Sequence, residues 1–352
     1  MLMLKKTIAA LSLLSILAAC QNDENPSQPE PKPRQDINLT RAEQEFMDKG
    51  TDFAFRFFDQ VCSTEKEKPN IFVSPLSASL CLSMITNGAT DNTLAEMQNV
   101  LGFPANTFSL DDLNNYNQKL TSALLDLDNT TQLGIANSIW IEEGFKVYDS
   151  FVDVNKKMYD AQVQELDFTS PTAKDMINQW CATQTNNCIK EVIQEIPADV
   201  RMYLINALYF KGIWKSQFDK SATGQDNFTN VDGSQQKVAM MNQTATFNYT
   251  QTDDFSIAEL PYGNEAFSMV ILLPSGDKTL DESLPSLNYE NWKQWSKNMV
   301  GKELQIKLPR FKVEYDKELE EDMIAMGMKD AFDAYKAKFA NMSDAELYIE
   351  IG

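Results

Sequence analysis

The sequence predicts an α+β fold, in which helices near the N-terminus pack on mixed and antiparallel β-sheets. Apolar residues recur at helical spacing from residue 41 to residue 185, whereas strand patterns dominate from residue 202 onward. Helices gathered early and strands gathered late are typical of this class rather than of alternating parallel units. A nearly continuous apolar run, Met202–Trp214, predicts a strand that is covered on both faces.

The first residues of the chain indicate export. Lys5 and Lys6 precede an apolar stretch that is too short to span a bilayer, so residues 1–19 are predicted to be a signal peptide. The stretch runs into Leu-Ala-Ala-Cys, which resembles the bacterial lipobox, and we therefore expect Cys20 to be acylated and to become the mature N-terminus. An ordinary secretory signal is the alternative. Several acyl chains on one residue would anchor the protein stably.

Residues 20–40 are predicted to form a tether between the lipid and the folded domain. They are polar and rich in proline and have no apolar face. The acidic segment Asn22-Asp23-Glu24 resembles the export tags of some surface lipoproteins. We therefore expect an exported lipoprotein of the outer membrane or the cell surface that contacts the membrane only through its anchor. Residues 41–352 are expected to form one large domain.

Capping signals and apolar spacing define the predicted helices. Thr40 and Glu43 form a capping box at the start of a helix over residues 41–61. Ser74 is the predicted N-cap of a second helix, with Pro75 in its first turn. That helix closes at residue 88, and further predicted helices cover residues 94–102, 112–125, 150–159, 173–185 and 319–327.

Short apolar or alternating runs define the predicted strands. Ile71–Val73 is predicted to be a short strand and Gly134–Ile141 a longer one. A single polar residue, Asn206, interrupts the run Met202–Trp214, and its buried amide must find hydrogen-bond partners. The other predicted strands cover residues 237–241, 256–262, 267–273 and 304–313, where alternation in the last of these continues until Pro309.

The composition excludes several classes of function. The 352 residues carry a net charge of −20, which argues against nucleic acid and heparin-like polyanions as partners. The chain has no histidine, which excludes Ser-His-Asp and Cys-His catalysis and argues against a zinc site. No Gly-rich phosphate loop occurs. We therefore expect no enzyme activity, no cofactor and no bound metal.

The predicted domain contains four cysteines. Cys62 and Cys81 lie in apolar helical patterns, so both are predicted to be buried thiols. Cys181 and Cys188 flank an Asn-Asn turn at the end of a predicted helix. A disulfide between Cys181 and Cys188 that closes this turn is therefore a hypothesis for an oxidising compartment.

Seven segments of the chain carry recognisable motifs: Asn70–Ser83, Gly134–Ile141, Ile177–Ile189, Leu204–Phe218, Glu259–Pro274, Leu308–Phe311 and Ala337–Ser343. Each motif is weak alone, but together they extend over essentially all of residues 41–352, and in this order they resemble the serpin family of protease inhibitors. The resemblance implies a protein that traps a serine or cysteine protease: the target cleaves an exposed loop, and the freed loop inserts into the main sheet of the inhibitor.

The resemblance also implies roles for four residues. Ser74, Ser77 and Asn206 match the family's sheet gate, or shutter, where hydroxyls and an amide form hydrogen bonds beneath the strands that part. Trp214 matches the tryptophan of the breach, where the loop first enters the sheet. A purely structural interpretation fits the same residues: a helix cap, a small packed residue and a satisfied core amide. The two interpretations are compatible.

The chain ends at Gly352, before the segment that would carry the family's reactive-centre loop. We therefore expect an incomplete serpin domain that lacks the C-terminal strands and the scissile bond, and we expect these 352 residues not to trap a protease. A truncated reading frame or an incomplete gene model is the preferred interpretation. Two functions stay open for the fold, namely a serpin-type protease inhibitor and a non-inhibitory binding or scaffold protein. The composition of the hinge would discriminate between them.

Overall fold

The structure is a computed structural model and describes residues 30–230 and 232–350. The predicted signal peptide and Cys20 lie outside these residues. Within the described ranges, no helix is both long enough and apolar enough to cross a membrane. Part of the predicted tether is described, and it lies against the domain, where the Lys32 amide donates to Asn129 Oδ1 at 2.8 Å.

The helices lie close to their predicted positions. Thr40 and Glu43 form the predicted capping box, and Ser74 caps the second helix, which begins at Pro75. Gly102 and Gly327 end the third and the last helix with φ of 86° and 118°, in the left-handed region that glycine tolerates. In chain order the helices are α1 (Arg41–Thr64), α2 (Pro75–Thr86), α3 (Asp91–Leu101), α4 (Leu110–Asp126), α5 (Asp149–Tyr159), α6 (Ala173–Gln184), α7 (Leu280–Ser283), α8 (Tyr289–Lys297) and α9 (Glu320–Met326).

The strands form a mixed sheet and an antiparallel sheet, as the α+β prediction requires. They are β1 (Gln132–Glu142), β2 (Ala161–Leu166), β3 (Met202–Lys211), β4 (Gly224–Thr229), β5 (Gln235–Gln251), β6 (Phe255–Pro261), β7 (Ser268–Pro274) and β8 (Val300–Pro309). In the first sheet, β1 lies between a parallel β2 and an antiparallel β3. In the second, the order is β4-β5-β6-β7, and β8 also pairs with the long strand β5.

The first six residues of β3, Met202–Ala207, are buried on both faces, as the apolar run predicted, whereas residues 208–211 are partly or fully exposed. Met202 and Leu204 pack into the main core with the N-terminal helices. Tyr203 and Ile205 point the other way and pack into a second cluster with Trp180 of α6. This alternation is the two-residue period of a strand. Asn206 therefore shares the face of Leu204, which is the face that α2 covers.

The helix α2 is the centre of the main core. Leu80, Leu82 and Met84 are each at most 1% exposed, so the helix is apolar around most of its circumference. Phe53 and Phe57 of α1 pack against this core with their rings stacked at 5.7 Å. The N-terminal end of α2 is thereby held in a fixed position under the first sheet.

Some predicted strands were wrong, and some elements were missed. Residues 71–73 form no strand, because none of the described strands lies beside them to complete a ladder. The strand predicted over residues 304–313 is β8, which begins earlier, ends at Pro309 and pairs with β5 over its whole length. The strands β2 and β4 and the helix α8 were missed because their sequences are short or largely polar, which leaves little apolar periodicity to detect.

Candidate functional site

A pair of buried amides links β1 and β3. Asn137 and Asn206 lie directly opposite each other in the antiparallel ladder, and each is only 4% exposed. The Asn206 Nδ2 donates to Asn137 Oδ1 at 2.8 Å. The amide predicted to need a partner therefore finds one across the sheet.

The N-terminal turn of α2 supplies the second partner of Asn206. The Ser77 hydroxyl donates a short hydrogen bond to Asn206 Oδ1. The Ser74 hydroxyl caps the helix by accepting from the Ser77 backbone amide at 3.2 Å, and this bond holds Ser77 in position. The structure thus brings together Ser74, Ser77 and Asn206, the three residues that the resemblance assigns to the gate.

The series of hydrogen bonds from Ser77 through Asn206 to Asn137, here called the polar chain, continues beyond the predicted residues to α5 and α4. Asn137 Nδ2 donates to the backbone carbonyl of Tyr159 at 2.7 Å, and the Tyr159 hydroxyl donates to Asn114 Oδ1 at 2.6 Å. Asn117 Nδ2 in turn donates to the Tyr159 hydroxyl at 3.3 Å. The sequence did offer a signal for Asn137, since it interrupts the apolar run of β1 as Asn206 interrupts that of β3.

The groups that surround the polar chain are neutral at pH 7. Burial raises the pKa of Tyr159 to about 12, although hydrogen bonds with Asn117 and other side chains lower it. Burial likewise raises the pKa of the Cys81 thiol to about 12, against the lowering effect of a backbone hydrogen bond, and its Sγ donates to the Leu204 carbonyl at 3.6 Å. The hydrogen-bonded groups between β1, β3 and α2 are therefore uncharged, and the network holds no buried ion.

The structure places Trp214 apart from the Ser77–Asn206 pair, just beyond the end of β3. Its ring stacks on Tyr262 at 4.3 Å with an interplanar angle of 17°, and the two residues form an isolated bridge between the two sheets. Phe218 packs edge-on at 6.1 Å. Gly212 makes this approach possible, because a Cβ at this position would lie 2.6 Å from the Tyr262 ring.

The hypothesised disulfide is absent from the structure, where Cys181 and Cys188 are both free thiols. Cys181 lies on the core side of α6 and is 1% exposed, packed in the cluster that contains Trp180. The turn then reverses through Asn186 and Asn187 with positive φ and leaves Cys188 partly exposed. Proximity in sequence suggested the bridge, but the helix directs Cys181 into the core.

The described residues offer no obvious metal site. Across residues 30–230 and 232–350, no three His, Cys, Asp or Glu side chains are grouped so that they could hold a metal ion. Cys20, the predicted lipidation site, lies outside the described residues. The hydrogen-bonded group formed by Ser77, Asn206 and Asn137 is therefore the candidate site that the structure defines.

Comparison with known proteins identifies the family. A family model described as "Serpin (serine protease inhibitor)" matches residues 48–351. The chain is 33% identical to an uncharacterized serpin-like protein of Methanosarcina acetivorans, over 84% of this chain and 70% of the relative. It is 36% identical to serpin B6 of Macaca fascicularis, over 79% of this chain and 76% of that protein. The crystal structure of the thermophilic serpin tengpin in its native state matches with a TM-score of 0.79 and 30% identity, covering 92% of this chain and 82% of that one. The chain therefore belongs to the serpin family.

Proposed function

We propose that this protein, in a form that carries the family's reactive-centre loop, inhibits a serine or cysteine protease by inserting that loop, once cleaved, as a new strand, and that it is not an enzyme. Family membership supports inhibition in general. The observation that carries the specific proposal is the hydrogen-bonded chain from Ser77 through Asn206 to Asn137. These polar side chains are buried among apolar residues on the same face of the sheet, such as Ile139 of β1 and Leu204 of β3, and they join the sheet to the helix beneath it.

A sheet that admits a new strand needs a lock of intermediate strength. Each buried polar group that loses its partner costs about 1–3 kcal/mol, so breaking the Ser77–Asn206 bond resists movement of the sheet over α2. The same groups carry no charge. Their hydrogen bonds can therefore break and form again after a strand has entered, and no ion is left buried. In this proposal Ser74 positions Ser77, Ser77 and Asn206 form the gate, and Trp214 marks the end of β3 where the loop enters.

The position of β3 fits this role. Among the described strands of its sheet, β3 pairs only with β1, so an added strand would lie along the other edge of β3. An added strand would pair through backbone hydrogen bonds, which supply affinity along the whole edge. Such an insertion is a change between two packings of one sequence, which releases energy stored in the first.

We further propose that the protein is exported and anchored through acylated Cys20 on the outer membrane or the cell surface. The support is the lipobox-like sequence that ends at Cys20 and the polar segment that follows it. Labelling of producing cells with a fatty acid tests the anchor: label should enter the wild type and be lost in Cys20→Ala. Equal label in both proteins would refute the assignment.

The partner in this proposal is a target protease, with no role for nucleic acid or a heparin-like polyanion, since the net charge of −20 opposes both. The test is to incubate the protein produced from its own genomic locus with a panel of serine and cysteine proteases. A covalent complex that survives denaturing gel electrophoresis is expected for the target. A protease whose catalytic nucleophile has been blocked is the control and should form none.

Two results would contradict the inhibitory proposal. The folded protein could be cleaved as an ordinary substrate with no complex, or it could leave every protease in the panel fully active. Either result would favour the alternative of a non-inhibitory binding or scaffold protein on the serpin fold.

A further inference from the structure

The segment that precedes α1 is held on the domain by side-chain and backbone hydrogen bonds. Asn129 contacts it twice: its Oδ1 accepts from the Lys32 amide at 2.8 Å, and its Nδ2 donates to the Glu30 carbonyl at 2.9 Å. Asn264 Nδ2 donates to the Lys32 carbonyl at 3.2 Å, and Lys32 Nζ pairs with Asp126 Oδ1 at 2.9 Å. We call residues 30–34 the strap. Its seat is the segment Asp126–Asn129, at the end of α4, together with Asn264.

The contacts of Asn129 are the specific part of this interaction. One amide side chain satisfies a backbone carbonyl and a backbone amide two residues apart, much as a neighbouring strand would. The ion pair between Lys32 and Asp126 adds little, because both side chains are more than half exposed and such pairs are worth about 0–1 kcal/mol. Pro31 and Pro33 flank Lys32 and restrict the backbone on both sides, which lowers the entropy lost on docking.

The seat is itself a rigid junction of two loops. Asp128 is 4% exposed, and its carboxylate accepts from the Thr130 amide at 2.8 Å and from the Asn264 amide at 3.3 Å. Burial raises the pKa of Asp128, but the hydrogen bonds from Thr130, Thr131 and Asn264 outweigh it and hold the pKa below its usual range. Gly263 has φ of +37°, and a Cβ there would lie 2.1 Å from Asp128 Oδ2. The carboxylate therefore locks the α4–β1 loop against the β6–β7 turn.

The seat also connects directly to the end of β3. The Gly263 amide donates to the Ile213 carbonyl at 2.8 Å, and Ile213 is followed by Trp214. The residue before Gly263 is Tyr262, whose ring stacks on Trp214. A continuous set of contacts thus runs from Lys32 through Asn264 and Gly263 to Trp214.

We propose that the strap docks on this seat in solution and stabilises the Trp214 end of the domain. Docking also fixes the point at which the tether leaves the surface of the domain. Cys20 lies twelve residues before Lys32, so an anchor at Cys20 would hold this end within about 40 Å of the membrane. That consequence depends on the proposed lipidation, whereas the docking does not.

Hydrogen exchange of the full chain tests the docking. Pro31 and Pro33 have no amide, so Lys32 contributes the one exchanging amide between residues 31 and 33. In the wild type this amide should exchange at least about tenfold more slowly than an unstructured amide. Asn129→Ala, at an exposed position, should abolish that protection. Lys32→Ala removes only the ion pair and should keep it.

The coupling to Trp214 has its own measurement. The Gly263 amide should exchange faster in Asn129→Ala than in the wild type, and Asn106→Ala, at an exposed residue of another loop, should leave it unchanged. Exchange of the wild-type Lys32 amide at the unstructured rate would overturn the docking, whether or not the protein inhibits a protease. Loss of protection at Lys32 with no change at Gly263 would overturn the coupling.

Discussion

The bond between Ser77 and Asn206 gives a prediction whose size follows from the structure. Ser77→Ala leaves Asn206 Oδ1 buried without its donor, which should lower the free energy of unfolding by about 1–3 kcal/mol. Asn206→Ala strands two groups, the Ser77 hydroxyl and Asn137 Oδ1, and should cost about 2–5 kcal/mol. Both side chains are at most 4% exposed, so water cannot readily replace the lost partners.

The double variant separates the bond from other effects. With both side chains removed, only Asn137 Oδ1 is left without a partner. The double variant strands two groups fewer than the two single variants together, so it should be less destabilised than their sum, with a coupling energy of about 2–3 kcal/mol. The cavity left by Asn206→Ala is common to the single and double variants and cancels in the cycle.

Urea unfolding of the four proteins, with exchange of the β3 amides as a second observable, measures this coupling. Ser79→Ala is the matched control, because Ser79 lies on the same helix and its hydroxyl bonds to the helix's own Leu76 carbonyl at 3.0 Å. It should change stability by less than about 0.5 kcal/mol. Additive single effects, within about 0.5 kcal/mol, would refute the idea that this bond locks α2 to the sheet.

Two further predictions concern the seat and the cysteines. Gly263→Ala should destabilise the protein by more than Gly144→Ala, because both glycines have positive φ but only at Gly263 would a Cβ meet Asp128; equal shifts of the thermal midpoint would contradict this. Cys181 and Cys188 are expected to be free thiols, so each should carry the label when the unfolded protein is alkylated and digested without reduction. A peptide pair linked through the two sulfurs would contradict this prediction.

Local chemistry made the helix boundaries predictable. The caps at Thr40 and Ser74 depend on residues within three positions, so the sequence alone contains the interaction. The burial of both faces of β3 over residues 202–207 was predictable for a related reason, since this part of the strand lacks a polar face. The fold class followed from the order of these elements.

The hydrogen-bond partners of the buried side chains were harder to predict from the sequence. The need of Asn206 for a partner could be inferred, but the choice of Asn137 depends on the register between β1 and β3, which joins positions 69 residues apart. The docking of Lys32 on Asn129 spans 97 residues and involves exposed polar side chains with no periodicity. Cys181 and Cys188 are a different case, because their closeness in sequence suggested a disulfide, whereas both are free thiols in the structure.

Stability alone does not account for the amide pair in the first sheet. Replacing two satisfied buried partners by apolar groups of the same shape is often nearly neutral, so Asn137 and Asn206 need not make the sheet stronger. They do make the observed pairing of β1 with β3 far more favourable than a pairing shifted by one residue. A slip of one residue would turn Asn206 away from Ser77 and leave Asn137 facing an apolar residue, with several buried groups unpaired. For a sheet proposed to part and re-form around a new strand, such a pair defines the position to which β1 and β3 return.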